Sequence, residues 1–346
     1  MNTTTDQAAA AIAGRVAVPG WRRVALARRS VFILLVVTQI SVGTYYMLAI
    51  LPYHGETGVE KALAGVFTRW FGWISAGFWI TVTGFMMRRL FGDRYALAAR
   101  HSAMELAAAP LARVAVVMPV CNEPVGRVMT GLRAIYLSLQ GTGRLEHFDF
   151  FVLSDSRAPE QWLEEQKAWY RLCDDLDGFG RIHYRRRAVN RRYKSGNIAD
   201  FLRRWGRDYE YMIILDADSL MSGETIVRLV QLMWHEPGVG IIQTKPVIVN
   251  ARTGFARMQQ FASHTLGPLI AEGLAALQLG EAAYWGHNAI IRIRPFMQYC
   301  GLRSLPAWGL FRGPMLSHDF VEAAYMGRAG YEVWLEPSLI GSYEES

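Results

Sequence analysis

The sequence predicts an α/β fold with a mostly parallel sheet, preceded by two transmembrane helices. From about residue 112 onward, short apolar runs typical of buried strands alternate with helical stretches. Such alternation implies right-handed crossovers and a parallel sheet. Before residue 90 there are two long stretches without a charged residue, where the apolar excess of this 51% hydrophobic, 346-residue chain is concentrated.

The elements of the α/β part follow from these runs. Strands are predicted at residues 114–119, 148–153, 181–184, 211–215 and 239–244. Helices are predicted between them, at residues 125–139, 159–174, 195–205 and 224–234. This architecture is common among nucleotide-binding proteins, but a fold does not by itself define a function.

The two uncharged stretches differ in length. Residues 31–52 form an uncharged run of about 22 residues, long enough to cross a bilayer. Residues 70–87 form a run of about 18, at the short end of the range, and a buried core helix is the alternative for it. A cleaved signal peptide is disfavoured, because the first stretch is too long and lacks a clear small-residue cleavage site.

Arginines flank both stretches: Arg22, Arg23, Arg28 and Arg29 come before the first, and Arg88 and Arg89 follow the second. The intervening loop, residues 54–61, is short and slightly acidic, so the positive-inside rule places both outer ends in the cytoplasm. We therefore expect a cytoplasmic tail (1–30), two membrane helices with a short periplasmic loop (31–89), a linker (90–111) and a cytoplasmic domain (112–346).

Cysteine usage and charge narrow the classes of function. The chain has three scattered cysteines without metal-ligand spacing, which fits a reducing compartment and disfavours a zinc site. The net charge of +7 includes a basic block, residues 181–194, with six arginines and one lysine. Such a block suits an anionic lipid or a phosphorylated ligand, and a solvated basic face is the alternative. No nucleic-acid motif occurs, so nucleic acid is not an expected partner.

Acidic residues follow three of the predicted strands: Glu123 after residues 114–119, Asp155 after residues 148–153, and Asp216 with Asp218 after residues 211–215. Open α/β sheets bind ligands at the carboxyl ends of their strands, so these acids are expected in one crevice. Two neighbouring carboxylates are costly to desolvate unless a cation neutralises them, and oxygen ligands suit Mg²⁺ or Mn²⁺. Taken singly, each acid could instead be a solvated strand end or a helix cap.

These residues resemble the processive family 2 glycosyltransferases, the group that includes cellulose and hyaluronan synthases. The resemblance implies a nucleotide-diphospho-sugar transferase (GT-A-like) domain. It implies that Glu123 and Asp155 contact uridine, and that Lys194, in the sequence YKSGN, helps to hold the nucleotide. It also implies that Asp216 and Asp218 hold the diphosphate through Mg²⁺ or Mn²⁺.

The resemblance extends to the acceptor side of the site. The sequence QTKP at residues 243–246 is similar to the Gln-Thr-Pro element that lines the acceptor side in that family, with a lysine inserted. Gln243 and Thr244 are therefore expected on the acceptor side. His287 is expected there too, as a hydrogen-bonding wall residue.

The resemblance also implies a catalytic base. The sequence SHD at residues 317–319 matches the family's base motif, which makes Asp319 the expected general base. A single base suffices for direct displacement, which inverts the anomeric centre and would give a β-glucoside from UDP-α-glucose. On local sequence alone, a helix N-cap is the alternative for Asp319, and His318 is expected to be a wall residue.

A closer resemblance is to the membrane glucosyltransferases that build the backbone of osmoregulated periplasmic glucans in Gram-negative inner membranes. It covers most of residues 112–346 and rests on PVCNEP (119–124), FVLSDS (151–156), YKSGN (193–197), LDADSLM (215–221), GHNAIIR (286–292), SHDFVEAAYMGRAG (317–330) and the closing SYEES. It implies a multi-pass inner-membrane enzyme with UDP-glucose as donor, a growing β-linked glucan as acceptor, and the lipid bilayer as a partner.

One departure from the family pattern concerns the end of the chain. The family carries a Q-x-x-R-W-type element and further membrane spans after the base, and the RRW at residues 203–205 lies before the D-x-D pair with Phe201 in place of the glutamine. We therefore expect the domain 112–346 to be incomplete at its C-terminus. Two alternatives stay open: another membrane polysaccharide synthase, or a non-catalytic nucleotide-sugar-binding membrane protein.

Overall fold

The structure is a computed structural model that describes residues 20–301 and 317–345. It begins with a helical hairpin of α1 (Gly20–Ile50) and α2 (Gly58–Met86). The helices meet through polar as well as apolar contacts, since the hydroxyls of Thr44 and Thr68 are 2.9 Å apart. Residues 1–19 of the expected N-terminal tail lie outside the described residues.

Among the described helices, α1 alone is long and apolar enough to cross a membrane. The prediction of two such helices was therefore wrong for α2. The apolar part of α2 contains several glycine, threonine and tryptophan residues, which lower its mean hydropathy. The C-terminal part of α2 instead makes close contact with the α/β domain at Gly84, as described below.

The segment expected to be a linker is packed against the domain. After a π-helical turn (Met87–Phe91), a short helix α3 (Ala103–Ala107) starts at a capping box formed by Ser102 and Glu105. Leu97 and Leu106 have no exposed surface, so this segment contributes to the core.

Within the described residues ten strands follow: β1 (Val114–Val120), β2 (Phe148–Ser154), β3 (Ile182–Arg186), β4 (Tyr211–Ile214), β5 (Ser219–Met221), β6 (Val239–Thr244), β7 (Val247–Val249), β8 (Ala289–Arg292), β9 (Glu332–Glu336) and β10 (Ser342–Glu345). Seven form the central sheet, in the order β3-β2-β1-β4-β8-β6-β9. Within it, β8 runs antiparallel to β4 and β6, and the other pairs are parallel. The remaining three form a small sheet in the order β5-β10-β7. The prediction of a mostly parallel sheet is confirmed.

The helices of this region are α4 (Val125–Gly141), α5 (Pro159–Leu176), α6 (Tyr193–Trp205), α7 (Gly223–His235), α8 (Gly254–Thr265), α9 (Gly267–Gln278), α10 (Ile293–Tyr299) and α11 (His318–Arg328). All but α8 pack around the central sheet, and α8 packs beside β7 of the small sheet. Side chains alternate between the faces along β1. Val114 and Val116 belong to a core formed with α4 and α7, and Ala115 and Val117 to a core formed with α6, α10 and α11. The five predicted strands and four predicted helices of this region are present.

The first turns of α1 are attached to the α/β domain. Trp21 is buried against Trp334, with ring centroids 5.8 Å apart in an edge-on arrangement. Arg28 and Arg29 donate hydrogen bonds of 2.7–2.9 Å to the carbonyls that end α9, those of Ala276, Leu277 and Gln278. The last carbonyls of a helix have no partner within it, so the two arginines cap α9.

A second attachment joins α2 to α9. A Cβ built on Gly84 would lie 1.8 Å from the carbonyl oxygen of Leu269, and one built on Gly273 would lie 2.0 Å from the carbonyl oxygen of Ile80. Only glycine permits this approach of two helix backbones, as at the small-residue contacts of membrane helices. Through α9, the helical hairpin and the α/β domain form one packed unit.

Candidate functional site

Three adjacent strands, β2, β1 and β4, bring the predicted acids to one edge of the sheet. Glu123 follows β1, Asp155 follows β2, and Asp216 follows β4 by one residue. The backbone N–H of Asp155 donates to Val120 of β1 at 2.8 Å, which continues the parallel pairing to the very end of the strands. The crevice formed by these acids therefore lies at the carboxyl ends of the parallel strands.

Asp155 is buried and paired with Arg187. The guanidinium makes a two-pronged contact with the carboxylate, with N–O distances of 2.5 and 2.6 Å. Because a buried carboxylate requires a charged or hydrogen-bonding partner, this pair compensates the burial. Arg187 also donates to the carbonyls of Arg191 and Tyr193, at 3.0 and 2.8 Å. One side chain thus fixes both Asp155 and the loop that leads into α6.

Glu123 is more exposed than Asp155. Its carboxylate accepts a hydrogen bond from Arg127, one turn later, at 3.1 Å. Its backbone carbonyl accepts one from Gln161 of α5 at 2.7 Å, which fixes the loop after β1. The Glu123 side chain remains available to the crevice.

Lys194 lies in the first turn of α6, directly after a tight loop. Arg192 and Tyr193 have positive φ angles of 61° and 46°, and a Cβ on Gly196 would lie 1.9 Å from the carbonyl oxygen of Arg191. The glycine of the YKSGN sequence is therefore required by the tight turn. The Lys194 ammonium forms an ion pair with Asp216 and donates to the carbonyl of Gly286 at 2.9 Å.

The structure adds a carboxylate that the sequence did not single out. Strand β10 lies between β5 and β7 and brings Glu344 close to the D-x-D pair. Burial raises the pKa of Glu344, and the charges of Asp218 and Asp216 act in the same direction, while His287 opposes them. This part of the crevice is thus strongly negative. Sequence reasoning used the SYEES sequence only as a resemblance, because a four-residue strand gives little periodic signal.

The donor set of the crevice suits a hard divalent cation. Asp216 and Asp218 offer carboxylate oxygens, and within residues 20–301 and 317–345 no group of three or more His, Cys, Asp or Glu side chains is arranged to hold a metal by itself. Mg²⁺ is usually bound by one or two carboxylates, with phosphates and water as its other ligands. The residues therefore fit an ion shared with a bound diphosphate.

Asp319 lies in the first turn of α11, beside Gly286, whose carbonyl also accepts from Lys194. Ser317 donates to its carboxylate at 3.0 Å, and a Cβ on Gly286 would lie 3.4 Å from Oδ2 of Asp319. Gly286 has a φ angle of +89°, which favours glycine. The alternative that Asp319 caps a helix is wrong, because α11 begins at His318 and Ser317 occupies the N-cap position.

Behind Asp319 lies a buried polar group that sequence reasoning missed. Glu322 is buried, and its Oε1 is 3.3 Å from Nδ1 of His318. Burial raises the pKa of Glu322; His318 and Lys194 oppose this shift, and Asp319 adds to it. Tyr284 is also buried, and burial together with Glu322, Asp216 and Asp319 raises the pKa of its hydroxyl. Glu322 lies within the SHDFVEAAYMGRAG sequence, which served only as a resemblance, and Tyr284 lies in no quoted motif.

Gln243 and Thr244 are fully buried beneath the loop that carries Gly286 and His287. Gln243 donates to the carbonyl of His287 and accepts from the N–H of Trp285, both at 2.9 Å. Thr244 donates to the carbonyl of Asn288 at 2.7 Å. Of the three residues predicted on the acceptor side, His287 is therefore the accessible one, and the other two support its loop from below.

Comparison with known proteins shows the family of this chain. The glycosyl transferase family 2 profile matches residues 115–300, more than half of the chain, and the chain belongs to this family. It is 51% identical over 325 residues to glucans biosynthesis glucosyltransferase H of Ralstonia nicotianae, covering 94% of this chain and 38% of the relative. It is 48% identical over 347 residues to the proteins of that name from Pseudomonas aeruginosa PAO1 and Pectobacterium atrosepticum, covering 94% of this chain and 40% of each.

The resemblance inferred from the motifs is thereby confirmed, and the chain spans about two fifths of the length of these relatives. Among solved structures, a mannosyltransferase of Pyrobaculum calidifontis in complex with GDP-Man and Mn²⁺ is similar with a TM-score of 0.45 and 17% identity. That similarity covers 77% of this chain and 68% of the other.

Proposed function

We propose that this chain is the donor-binding and catalytic part of a membrane glucosyltransferase that transfers glucose from UDP-glucose to a growing β-linked glucan. The observation that carries the proposal is the convergence of Asp216, Lys194 and Asp319 around Gly286. In this proposal Lys194 would be the basic group for phosphate, Asp216 and Asp218 the carboxylate pair for a cation, and Asp319 the carboxylate for proton transfer. The relatives named for glucan biosynthesis support glucose as the sugar.

The donor would occupy the crevice from β2 to β4. Asp155 and Glu123 would contact the uridine, and Lys194 would face the diphosphate. Asp216 and Asp218 would hold Mg²⁺ or Mn²⁺, which supplies positive charge that offsets the charge of the departing UDP. The arrangement is supported by the position of Glu344 beside this pair, since β10 pairs with β5 directly after Asp218.

The acceptor hydroxyl would be deprotonated by Asp319. As the acceptor oxygen forms its bond to the anomeric carbon, the bond from that carbon to the UDP oxygen breaks, and the hydroxyl proton passes to the Asp319 carboxylate. Attack from the face opposite UDP inverts the anomeric centre. The position of Asp319 beside Gly286 supports this role, because it faces the loop that Lys194 links to the donor side. His287 would line the acceptor side, with its loop held by Gln243 and Thr244.

The protein would act at the bacterial inner membrane, with α1 in the bilayer, α2 running back along α1 as the second arm of the hairpin, and the domain 112–346 in the cytoplasm. The apolar surface of α1 is exposed, with Leu34 and Val37 among the exposed side chains. Exposing such side chains to water is unfavourable, whereas the acyl chains of a bilayer give them an apolar environment. Arg28 and Arg29 lie before the uncharged part of α1, as expected for the cytoplasmic end of a span.

A transfer assay tests the proposal. The full chain, reconstituted in lipid nanodiscs, is incubated with radiolabelled UDP-glucose, Mg²⁺ and a β-glucan oligosaccharide. We expect glucose to be incorporated into a β-glucosidase-sensitive product, and incorporation to stop in EDTA. Equal transfer from UDP-N-acetylglucosamine would instead indicate another polysaccharide synthase. Binding of UDP-glucose without transfer would indicate a nucleotide-sugar-binding protein.

A further inference from the structure

Helix α8 carries an unusual apolar surface. It has no buried residue, and Phe255, Met258 and Phe261 are 65%, 61% and 70% exposed. Residues three apart lie on the same side of a helix, so the three side chains form one outward face. Large apolar side chains grouped in this way on a protein surface mark an interaction site.

The opposite side of α8 faces the domain. The carbonyl of Ser263 accepts a hydrogen bond from Lys245 at 3.1 Å, and the side chain of Gln260 accepts one from the N–H of Ala251, also at 3.1 Å. The outward face is therefore not the side by which α8 is attached. This face is therefore open to a partner other than the domain.

The position of α8 along the molecule indicates what covers it. It leads through Leu266 into α9, whose backbone touches α2 at Gly84. Directly after α2, Leu90 and Phe91 are 62% and 67% exposed. The C-terminal end of α8 is therefore close to the end of the uncharged part of α2, and exposed apolar side chains are present on both elements.

Charge also favours a lipid surface. Arg252 and Arg257 are exposed at the start and on the flank of α8, and Arg88 and Arg89 follow α2. A helix with aromatic residues and Met on one face and arginines beside it is typical of helices that lie in the interfacial region of a bilayer with anionic lipids.

We propose that α8 lies in the interfacial region of the bilayer that α1 crosses, with Phe255, Met258 and Phe261 at the acyl boundary. The arginines then contact anionic headgroups. The α/β domain then contacts the membrane directly through α8, in addition to the span formed by α1. This second contact fixes the tilt of the domain relative to the membrane. It rests on the proposed function only in that α1 crosses the bilayer.

Depth-dependent quenching tests the proposal without requiring activity. Met258→Cys is labelled with an environment-sensitive fluorophore in a Cys121→Ser background, because the two other cysteines are buried. The protein is reconstituted in vesicles containing phosphatidylglycerol and lipids with a quencher near the headgroup. Val37→Cys in α1 is the membrane control, and Gln166→Cys, on α5 near the far edge of the sheet, is the aqueous control.

We expect the probe at position 258 to lose fluorescence to the lipid quencher to an extent comparable with position 37, and to be protected from aqueous iodide. Position 166 should show the reverse. Phe255→Gln/Phe261→Gln should reduce the lipid quenching at position 258, while quenching at position 37 stays unchanged.

Three results would overturn the proposal. Iodide quenching at position 258 equal to that at position 166 would show that α8 is in water. Protection from both quenchers would show that protein covers the face. Absence of lipid quenching at position 37 would contradict the membrane span itself, and thus separates failure of the proposed function from failure of this inference.

Discussion

The ammonium of Lys194 is bonded at once to the Asp216 carboxylate and, at 2.9 Å, to the carbonyl of Gly286. It therefore links the end of β4 to the loop on which the acceptor side is built. Without a ligand, the lysine neutralises one of the two carboxylates of the D-x-D pair. A bound diphosphate with its cation can replace this ion pair, since the cation suits the Asp216 carboxylate and the phosphate suits the Lys194 ammonium.

Asp319→Asn tests the general base. The amide keeps the size and the contact with Ser317 but cannot accept a proton, so glucose transfer should fall by about 10²- to 10⁴-fold. Affinity for UDP should change little, because Asp319 is not on the donor side. Steady-state transfer and UDP calorimetry on the same preparation separate the two effects. Transfer at the wild-type rate would show that another group takes the proton.

Breaking the buried Arg187–Asp155 ion pair should destabilise the protein much more than breaking an exposed ion pair. Arg187→Met leaves Asp155 buried and unpaired and should lower the free energy of unfolding by about 3–5 kcal/mol. Arg133→Met breaks a pair with Asp175 whose two side chains are about half exposed, and should cost about 0–1 kcal/mol.

Urea unfolding of the detergent-solubilised protein, followed by tryptophan fluorescence, measures both variants. Adding Asp155→Asn to Arg187→Met should recover part of the loss, because no buried charge then remains unpaired. Equal losses for Arg187→Met and Arg133→Met would contradict the burial of this pair.

The close approach of α2 and α9 predicts different outcomes for two glycines of the same helix. Gly84→Ala places a methyl group 1.8 Å from the Leu269 oxygen, so the helices must separate, at a cost of about 1–3 kcal/mol. Gly77→Ala meets nothing within 4 Å and should be neutral or mildly stabilising. Aggregation temperatures in detergent, compared across the wild type and both variants, measure the difference. A smaller loss for Gly84→Ala than for Gly77→Ala would rule out the contact.

Glu322 predicts a pH-dependent stability. Burial raises its pKa in the folded protein, so between its ordinary value, about 4.3, and the raised value the native state holds a proton that the unfolded state has released. Over that interval this group makes the free energy of unfolding fall as pH rises. Glu322→Gln does not titrate, so the stability of the variant relative to wild type should increase with pH. Urea titrations of both proteins at several pH values give this difference, and a pH-independent difference would disprove the raised pKa.

The features that could be predicted from the sequence are the strands and the acids at their ends, because local pattern and chain order determine them. Apolar strands followed by Asp155 and Asp216 were recognisable because strand period and chain order decide which ends meet at one edge of a parallel sheet. The supporting role of the buried Gln243 was not recognisable from the sequence, because its hydrogen-bond partners lie some forty residues later, on the loop at His287. Short strands such as β8 and β10, and with them Glu344, carry too few residues for periodicity to detect.

The membrane part shows the same limit. Residues 70–87 lack charge, which predicted a span, but tryptophan, glycine and threonine lower the mean hydropathy of that stretch, and Gly84 serves the contact with α9 rather than with lipid. Contacts such as that of Gly84 with α9 depend on tertiary packing, which a single sequence does not reveal. The same holds for Glu322, whose burial depends on how α11 packs on the sheet.

Calorimetric titration of UDP into the wild-type protein and into Asp216→Asn/Asp218→Asn, each with Mg²⁺ or with EDTA, tests the D-x-D site most directly. For the wild type we predict an affinity at least about tenfold higher with Mg²⁺ than with EDTA, as expected when an ion bridges carboxylates and diphosphate. The double variant should lose that difference and match the wild type in EDTA. A wild-type affinity unaffected by EDTA, or a full Mg²⁺ effect in the double variant, would contradict the assignment of these carboxylates.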